Sequence, residues 1–294
     1  MSGWDDLAGE PLAPHLGPFP HRPFLETCRR HWQRGSLEIV ATQGGSAAVV
    51  IEDGVCRFAG ERHLTDYHST LGQDTEALVG RILELVGPGV RFDLDSLPIE
   101  AAEPLVAAFG SAGLDAELLD DESCRVVELS KPAAGAWEEM LGVKHRHELR
   151  RKRRRFARGR GEPEFGGGRE YFDAFVSLHR SAAGDKGGFM TDPMASFFAD
   201  LLDLPGSRLD VLLAGDSVAA AAFGFEDVSA YYLYNSAYDR RSADLSPGIV
   251  LIDRLMREAA TSGRSRFDFL KGNEEYKIRL GAASRPLYRL RVWS

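Results

Sequence analysis

The chain has 294 residues, 44% of them apolar and 27% charged, with a formal net charge of −8. That length buries a sizeable core and suggests about two domains, while the acidic balance argues against a surface built throughout for nucleic acid. Three widely spaced cysteines, Cys28, Cys56 and Cys124, give neither a disulfide framework nor a zinc site. No apolar run approaches the roughly eighteen residues of a membrane span, and the N-terminus lacks the basic start and apolar core of a secretory signal. A cytoplasmic protein with no membrane partner is expected.

Residues 1–23 are rich in Pro and Gly and read as irregular. The stretch "PFLETCRRHWQRG" (23–35) predicts a helix stopped by Gly35. Strands at 37–42, 47–53 and 55–61, separated by Gly44-Gly45 and Asp53-Gly54, predict a meander. Apolar residues at helical spacing predict a helix over 75–87. A strand at 90–97, a helix over 101–113 with Pro104 in its first turn, and a strand pair within 115–129 follow.

Next comes "KHRHELRRKRRRFARGR" (144–160), with ten Lys/Arg and one Glu. It nets +9, so the rest of the chain carries −17. Val143, Leu149 and Phe156 recur at intervals of six and seven, a thin apolar stripe on an otherwise charged helix. The segment reads as a solvated connector first, a guide for an anionic ligand second, and an RNA contact third.

Helices follow over 169–182 and 193–204, with the Gly-rich "GDKGGFMTD" (184–192) between them as an expected mobile lid. Strands at 208–216, 217–227 and 228–239 form a second meander. A strongly amphipathic helix (247–263), a buried strand (265–270), a short helix (274–282) and an alternating terminal strand (285–293) complete the chain. Both halves run helix, three strands, helix, strand, helix, strand. That order predicts an α+β (α/β mixed sheet) fold in two copies, 1–142 and 163–294, joined by a basic helix over 143–162. One large domain is the alternative.

Two stretches carry candidate chemistry. In "YYLYNSAYDRRSADLSPGIVLIDRLM", Ser246-Pro247-Gly248 opens a helix after a strand. Ser suits the N-cap, Pro the first helical position, and Gly a close ligand approach. The free N–H groups of that first turn, through Ile249, with the helix dipole make an anion site, or simply a well-capped helix start. In "FDFLKGNEEYKIRLG", Glu274, Glu275, Tyr276, Lys277 and Arg279 fall just past the carboxyl end of a strand, where open sheets place their sites. Lys277 suits an oxyanion and Tyr276 a leaving thiolate; an exposed ladder with a Glu275–Arg279 pair is the alternative. Asp239, at a strand end, is a candidate base for an amine or a turn former. His179 ends a helix and reads as a ligand contact or a charge complement to the helix end. His63 and His68 lack a third ligand nearby, so no metal is expected.

The stretches "LYNSAYD", "LSPGIVLIDRLM" and "FDFLKGNEEYKIRLGA" resemble the GNAT acyltransferase superfamily, in its cellulose-biosynthesis-associated CelD-like branch. The resemblance covers about 170–294 and implies two tandem GNAT-like domains, the first degenerate. In such folds the fourth and fifth strands splay apart. Acyl-CoA lies in the gap, with its pyrophosphate on the next helix. That implies a co-substrate site at Ser246, Pro247, Gly248 and Ile249, although the usual Gly-x-Gly/Ala loop is reduced. It also implies Tyr276 as the acid for the CoA thiolate.

The stretch "YKIRLG" is similar to the Phe-Lys-x-x-Phe-Gly element of Fem-type aminoacyl transferases, tandem GNAT folds that use aminoacyl-tRNA; by that match Lys277 is the carbonyl-stabilising cation. Asp66-Tyr67 matches a recurring pair of the CelD-like branch, and the loop that carries it with His63 and His68 reads as a lining of the acceptor cleft or as a hydrogen-bonded structural loop; His179 and Glu275 are further candidates for the acceptor site. The expected activity is transfer of an acyl group, acetyl first, from acyl-CoA to an amine on a small molecule or peptide. Fem-like transfer from tRNA is the alternative, and a nucleic-acid-binding or scaffolding protein with relic folds is the third reading. Acceptor identity, acyl length and oligomeric state are not written in the sequence.

Overall fold

A computed structural model describes residues 3–32, 34–129, 137–182 and 185–293. The chain divides into two compact units, Met1–Cys124 with Ser284–Ser294, and Arg125–Ala283. Both mix helices with strands, the α+β class that the alternation of helical and strand periods predicts.

The first unit begins with α1 (Arg22–His31), which has Pro in its first turn and buries Phe24, Leu25 and Cys28. β1 (Ser36–Ala41), β2 (Gly45–Glu52) and β3 (Val55–Phe58) form an antiparallel meander. The two-residue β4 (Leu71–Gly72) also pairs with β2. α2 (Thr75–Val86) starts at Asp74, whose side chain accepts the Ala77 N–H. Then come β5 (Arg91–Leu97), α3 (Ile99–Ser111) and β6 (Ala116–Glu128), whose residues from Arg125 are counted in the second unit. The sheet order is β1-β2-β3-β5-β12-β6, where β12 is the terminal strand Ala283–Trp293. β3 and β5 run parallel, and β12 runs antiparallel to β5. One sheet face packs α2 and α3 around Val49, Cys56, Leu78, Phe92, Leu105 and Phe109.

After the end of β6, the second unit holds a 3-10 turn (Trp137–Met140) and α4 (Val143–Arg160). β7 (Glu164–Gly167) pairs with β8 (Ser207–Ala214), which is reached through α5 (Phe172–Arg180), α6 (Asp185–Phe189) and α7 (Asp192–Leu201). β9 (Ser217–Glu226) and β10 (Ala230–Tyr238) extend the antiparallel sheet. After α8 (Pro247–Thr261), β11 (Arg266–Lys271) joins β10 in parallel, and α9 (Glu275–Arg279) follows. Alternation along β9 separates the two faces. Ala220 and Ala222 join the α4–α8 core with Phe156, Leu251, Met256 and Phe267, and their small side chains let α8 close on the sheet. Phe223 points the other way and packs with Phe175 and Phe198 of α5 and α7.

Several expectations change. Residues 115–129 hold one long strand, not a pair. Pro104 lies inside α3 rather than in its first turn. The Gly-rich stretch after α5 contains a helix, α6, where a mobile lid was expected; a side chain at Gly187 would collide with the Ala182 carbonyl, so close packing accounts for that glycine. Residues 183 and 184 lie outside the described residues. Of the proposed stripe on the basic helix, Leu149 and Phe156 are buried but Val143 is 63% exposed.

Candidate active site in the second unit

β10 and β11 pair only at Ala230↔Arg266, Tyr231↔Phe267 and Tyr232↔Asp268. Tyr231 stacks on Phe267 at this closed end, with ring centroids 5.1 Å apart. Past Tyr232, β10 follows β9 to Tyr238, with a bulge between Leu233 and Asn235, while β11 runs on to Lys271 with no paired residue on β10. The bulge bends β10 and adds twist, so the strands part. Asp268, the last residue of β11 paired with β10, is fully buried and accepts the Leu270 N–H at 2.7 Å, and Leu270 adopts φ +58 where the strand runs on unpaired with β10. A carboxylate between two phenylalanines in a buried strand was a signal in the sequence that its pattern alone did not place.

α8 starts beside the end of β10: an added Cβ at Gly248 would lie 3.5 Å from the Tyr238 ring. Ser246 occupies the N-cap, as its type suggests, but in a left-handed conformation (φ +56), and its side chain caps nothing. Its carbonyl takes the N–H groups of Ile249 and Val250 at 3.1 and 3.2 Å. Pro247 has no N–H. Gly248 N–H is therefore the donor of this turn without a backbone acceptor among the described residues. The 3-10 turn Arg240–Leu245 stands where a Gly-rich phosphate loop was expected in reduced form.

Cations supplement that single donor. Arg160 of α4 donates to Ser242 Oγ at 3.0 Å, Arg155 pairs with Asp244 at 3.2 Å, and Arg240 and Arg241 are exposed on the same turn. The basic helix thus delivers positive charge to the turn before α8. It is fixed there by Leu149 and Phe156 in the core, and by Arg153, which bonds Glu138 at 2.5 Å and Asp253 at 2.6 Å. Arg257 joins the same two carboxylates.

The other candidates fall into different environments. Asp239 caps the 3-10 turn, accepting from Arg241 N–H and Nε at 3.0 Å. The Arg241 hydrogen bond holds its carboxyl below the usual range, which favours a turn former over a base. Tyr276 is half-buried against the core, 6.0 Å from the Phe269 ring, and burial pushes its phenol well up. Lys277 is buried: Nζ donates to the Lys271 carbonyl at 2.7 Å and pairs with Glu274 at 3.0 Å, clasping the turn at Gly272. Glu275 forms the exposed ladder pair with Arg279 at 2.6 Å. His179 is buried edge-on to Phe175 at 4.6 Å and is no exposed charge complement. In the first unit, Tyr67 is wholly buried with Arg285 over its ring at 4.9 Å, while Asp66 is half-buried. In this structure Tyr67 is a packed side chain with no exposed surface.

A mixed sheet whose fourth and fifth strands part beside a helix N-terminus defines the GNAT-type acyltransferase fold. Residues 143–278 match the family described as acetyltransferase (GNAT) domain. Among solved structures, the chain is similar to FemX (TM-score 0.65, 11% identity, covering 94% of this chain and 93% of that one). It is also similar to the C-terminal domain of a putative lysylphosphatidylglycerol synthetase from Agrobacterium fabrum (0.60, 13%, 92% and 92%) and to L-PGS from Bacillus licheniformis (0.61, 12%, 97% and 93%). At these identities the likeness is one of fold. No curated protein matches the chain in sequence. No helix among the described residues is long and apolar enough to cross a membrane.

Proposed function

We propose that the second unit moves an acyl group from acyl-CoA, acetyl-CoA first, to an amine on a small molecule or peptide. The parting of β10 and β11 beside the N-terminus of α8 carries this reading. The thioester lies between the strands, with its phosphates toward Gly248 N–H, Arg160 and Arg240. The amine nitrogen attacks the thioester carbonyl, the new C–N bond forms and the C–S bond breaks. β10 backbone beyond its pairing with β11 supplies the oxyanion contact. Tyr276, kept protonated by burial, gives its proton to the thiolate. Water takes the amine proton, since Asp239 is held ionised as a weak base. The motifs at 233–239 and 245–256 support placement near the CelD-like branch.

A second reading has its own support. Arg151, Arg154 and Arg158 form an exposed row on α4 at helical spacing, with no acidic partner among the described residues. Such a row suits a phosphodiester backbone, and the Lys277 motif resembles that of Fem-type enzymes. Calorimetry separates the readings. Gly248→Glu places a carboxylate at the phosphate turn, and the ordinary contact with Tyr238 means that the fold accepts it. Acetyl-CoA binds the native protein and loses affinity at least about tenfold in the variant. Unchanged affinity overturns the CoA site, and a purified protein that carries RNA by its 260/280 nm ratio favours the second reading.

A further inference from the structure

The face of the first-unit sheet opposite α2 and α3 is charged and bounds a cavity of about 320 Å³ beside α1. Leu25, Cys28 and Trp32 of α1 and its end give an apolar and aromatic wall. Asp93, Asp95, Arg57 and Arg289 form part of the opposite wall. The volume is at the low end for small-molecule sites.

Most of the charges here cancel. Asp93 is held by Arg289, Nε to Oδ1 at 2.5 Å, with Arg291 at 3.6 Å. Asp95 takes Arg62 at 3.3 Å, Ser96 Oγ at 3.0 Å and His68 at 3.3 Å. Arg29 is spent on the carbonyls of Arg34 and Gly35. Among the described residues three charged groups around the cavity, the half-buried Arg57, Glu52 and Glu61, form no side-chain hydrogen bond or ion pair. Arg57 lies beside Asp93 and, against the effect of burial, helps to hold its carboxyl below the usual range, but that carboxylate is already bonded by Arg289. Arg34, exposed at the rim, is the remaining cation. Arg57 lies opposite Val50 across β2 and β3, and Glu52 is two residues on. The two therefore share a face as diagonal neighbours about 7–8 Å apart, yet they form no ion pair. Half-buried charges left open on one cavity wall are costly without a partner, and water or a ligand must satisfy them.

We propose that this cavity binds a small zwitterion that carries both a carboxylate and an ammonium group, the chemistry of a free amino acid. Arg57 takes the carboxylate in a forked contact, Glu52 and Glu61 take the ammonium, and the Trp32 wall takes the side chain. A simple anion leaves the two glutamates unmatched, and a simple amine leaves Arg57 unmatched. The site lies wholly within the first unit and does not rest on the transfer reading.

The test is calorimetry of the full chain with free amino acids at millimolar concentration, beside their N-acetyl and carboxamide forms. Free amino acids bind, and blocking either end weakens binding about tenfold or more. Arg57→Gln removes the preference for a free carboxylate while the N-acetyl penalty persists; Glu52→Gln with Glu61→Gln does the converse. The native-protein panel keeps the test decisive if a variant fails to fold. No binding by any amino acid, or equal binding by blocked and free forms, overturns the proposal.

Discussion

At the residue scale, burial decides what each candidate group can do. Tyr276 and Lys277 are neighbours in sequence, but their environments differ. Lys277 Nζ is engaged by the Lys271 carbonyl and Glu274, so its first duty is to hold the β11–α9 turn. Tyr276 keeps its proton because burial disfavours the phenolate. That is the state a proton donor to a thiolate requires. Tyr276→Phe removes the proton and keeps the packing. It should lower kcat on acetyl-CoA about a hundredfold while leaving KM for the donor nearly unchanged. A normal kcat would remove Tyr276 from the reaction. The residue types in "EEYKIRLG" made this stretch visible in the sequence, but burial was not, because it depends on how α9 folds back on Phe269 and on a core drawn from several elements.

At the scale of the element, α4 is the instructive case. Its composition reads as a solvated or polyanion-binding helix, yet two apolar residues and one arginine anchor it. Phe156 is fully buried, and Arg153 bridges Glu138 and Asp253. The spacing of Leu149 and Phe156 made the buried stripe legible, whereas the partners of Arg153 lie on other elements and were not. Phe156→Ala should destabilise the protein by about 3–5 kcal/mol. Neutralising Arg151, Arg154 and Arg158 together should change stability by no more than about 0.5 kcal/mol per site. Urea unfolding of both variants checks this. A larger loss from the arginine variant would mean that the exposed row is structural. The missed elements β4 and β7 are short and Gly-containing, and the pairing that defines them is long-range. α6 was missed for a related reason, since glycines disfavour a helix locally and packing against Ala182 overrides that preference.

For the whole molecule, the repeated order of helices and strands was legible in the two halves, because hydrophobic period and turn residues are local signals. The division into units was less so. The second unit, Arg125–Ala283, is an insertion in the chain of the first, and Ser284–Ser294 returns to the first unit. There β12 takes its place beside β5, with Arg291 opposite Asp93. An alternating strand does not name its partner, so only the long-range register reveals this. The same holds for the charged face of the first unit, where Arg57, Glu52 and Glu61 gather from strands and a loop whose spacing shows no motif. The proposed activity depends above all on the parted strands of the second unit acting on an acyl thioester. The most direct test is release of free thiol from acetyl-CoA across a panel of amines, with the acylated amine identified by mass spectrometry. The expected result is amine-dependent release matched by an equal amount of acylated product. Release that does not depend on any amine, or none at all while aminoacyl-tRNA is consumed, would contradict it.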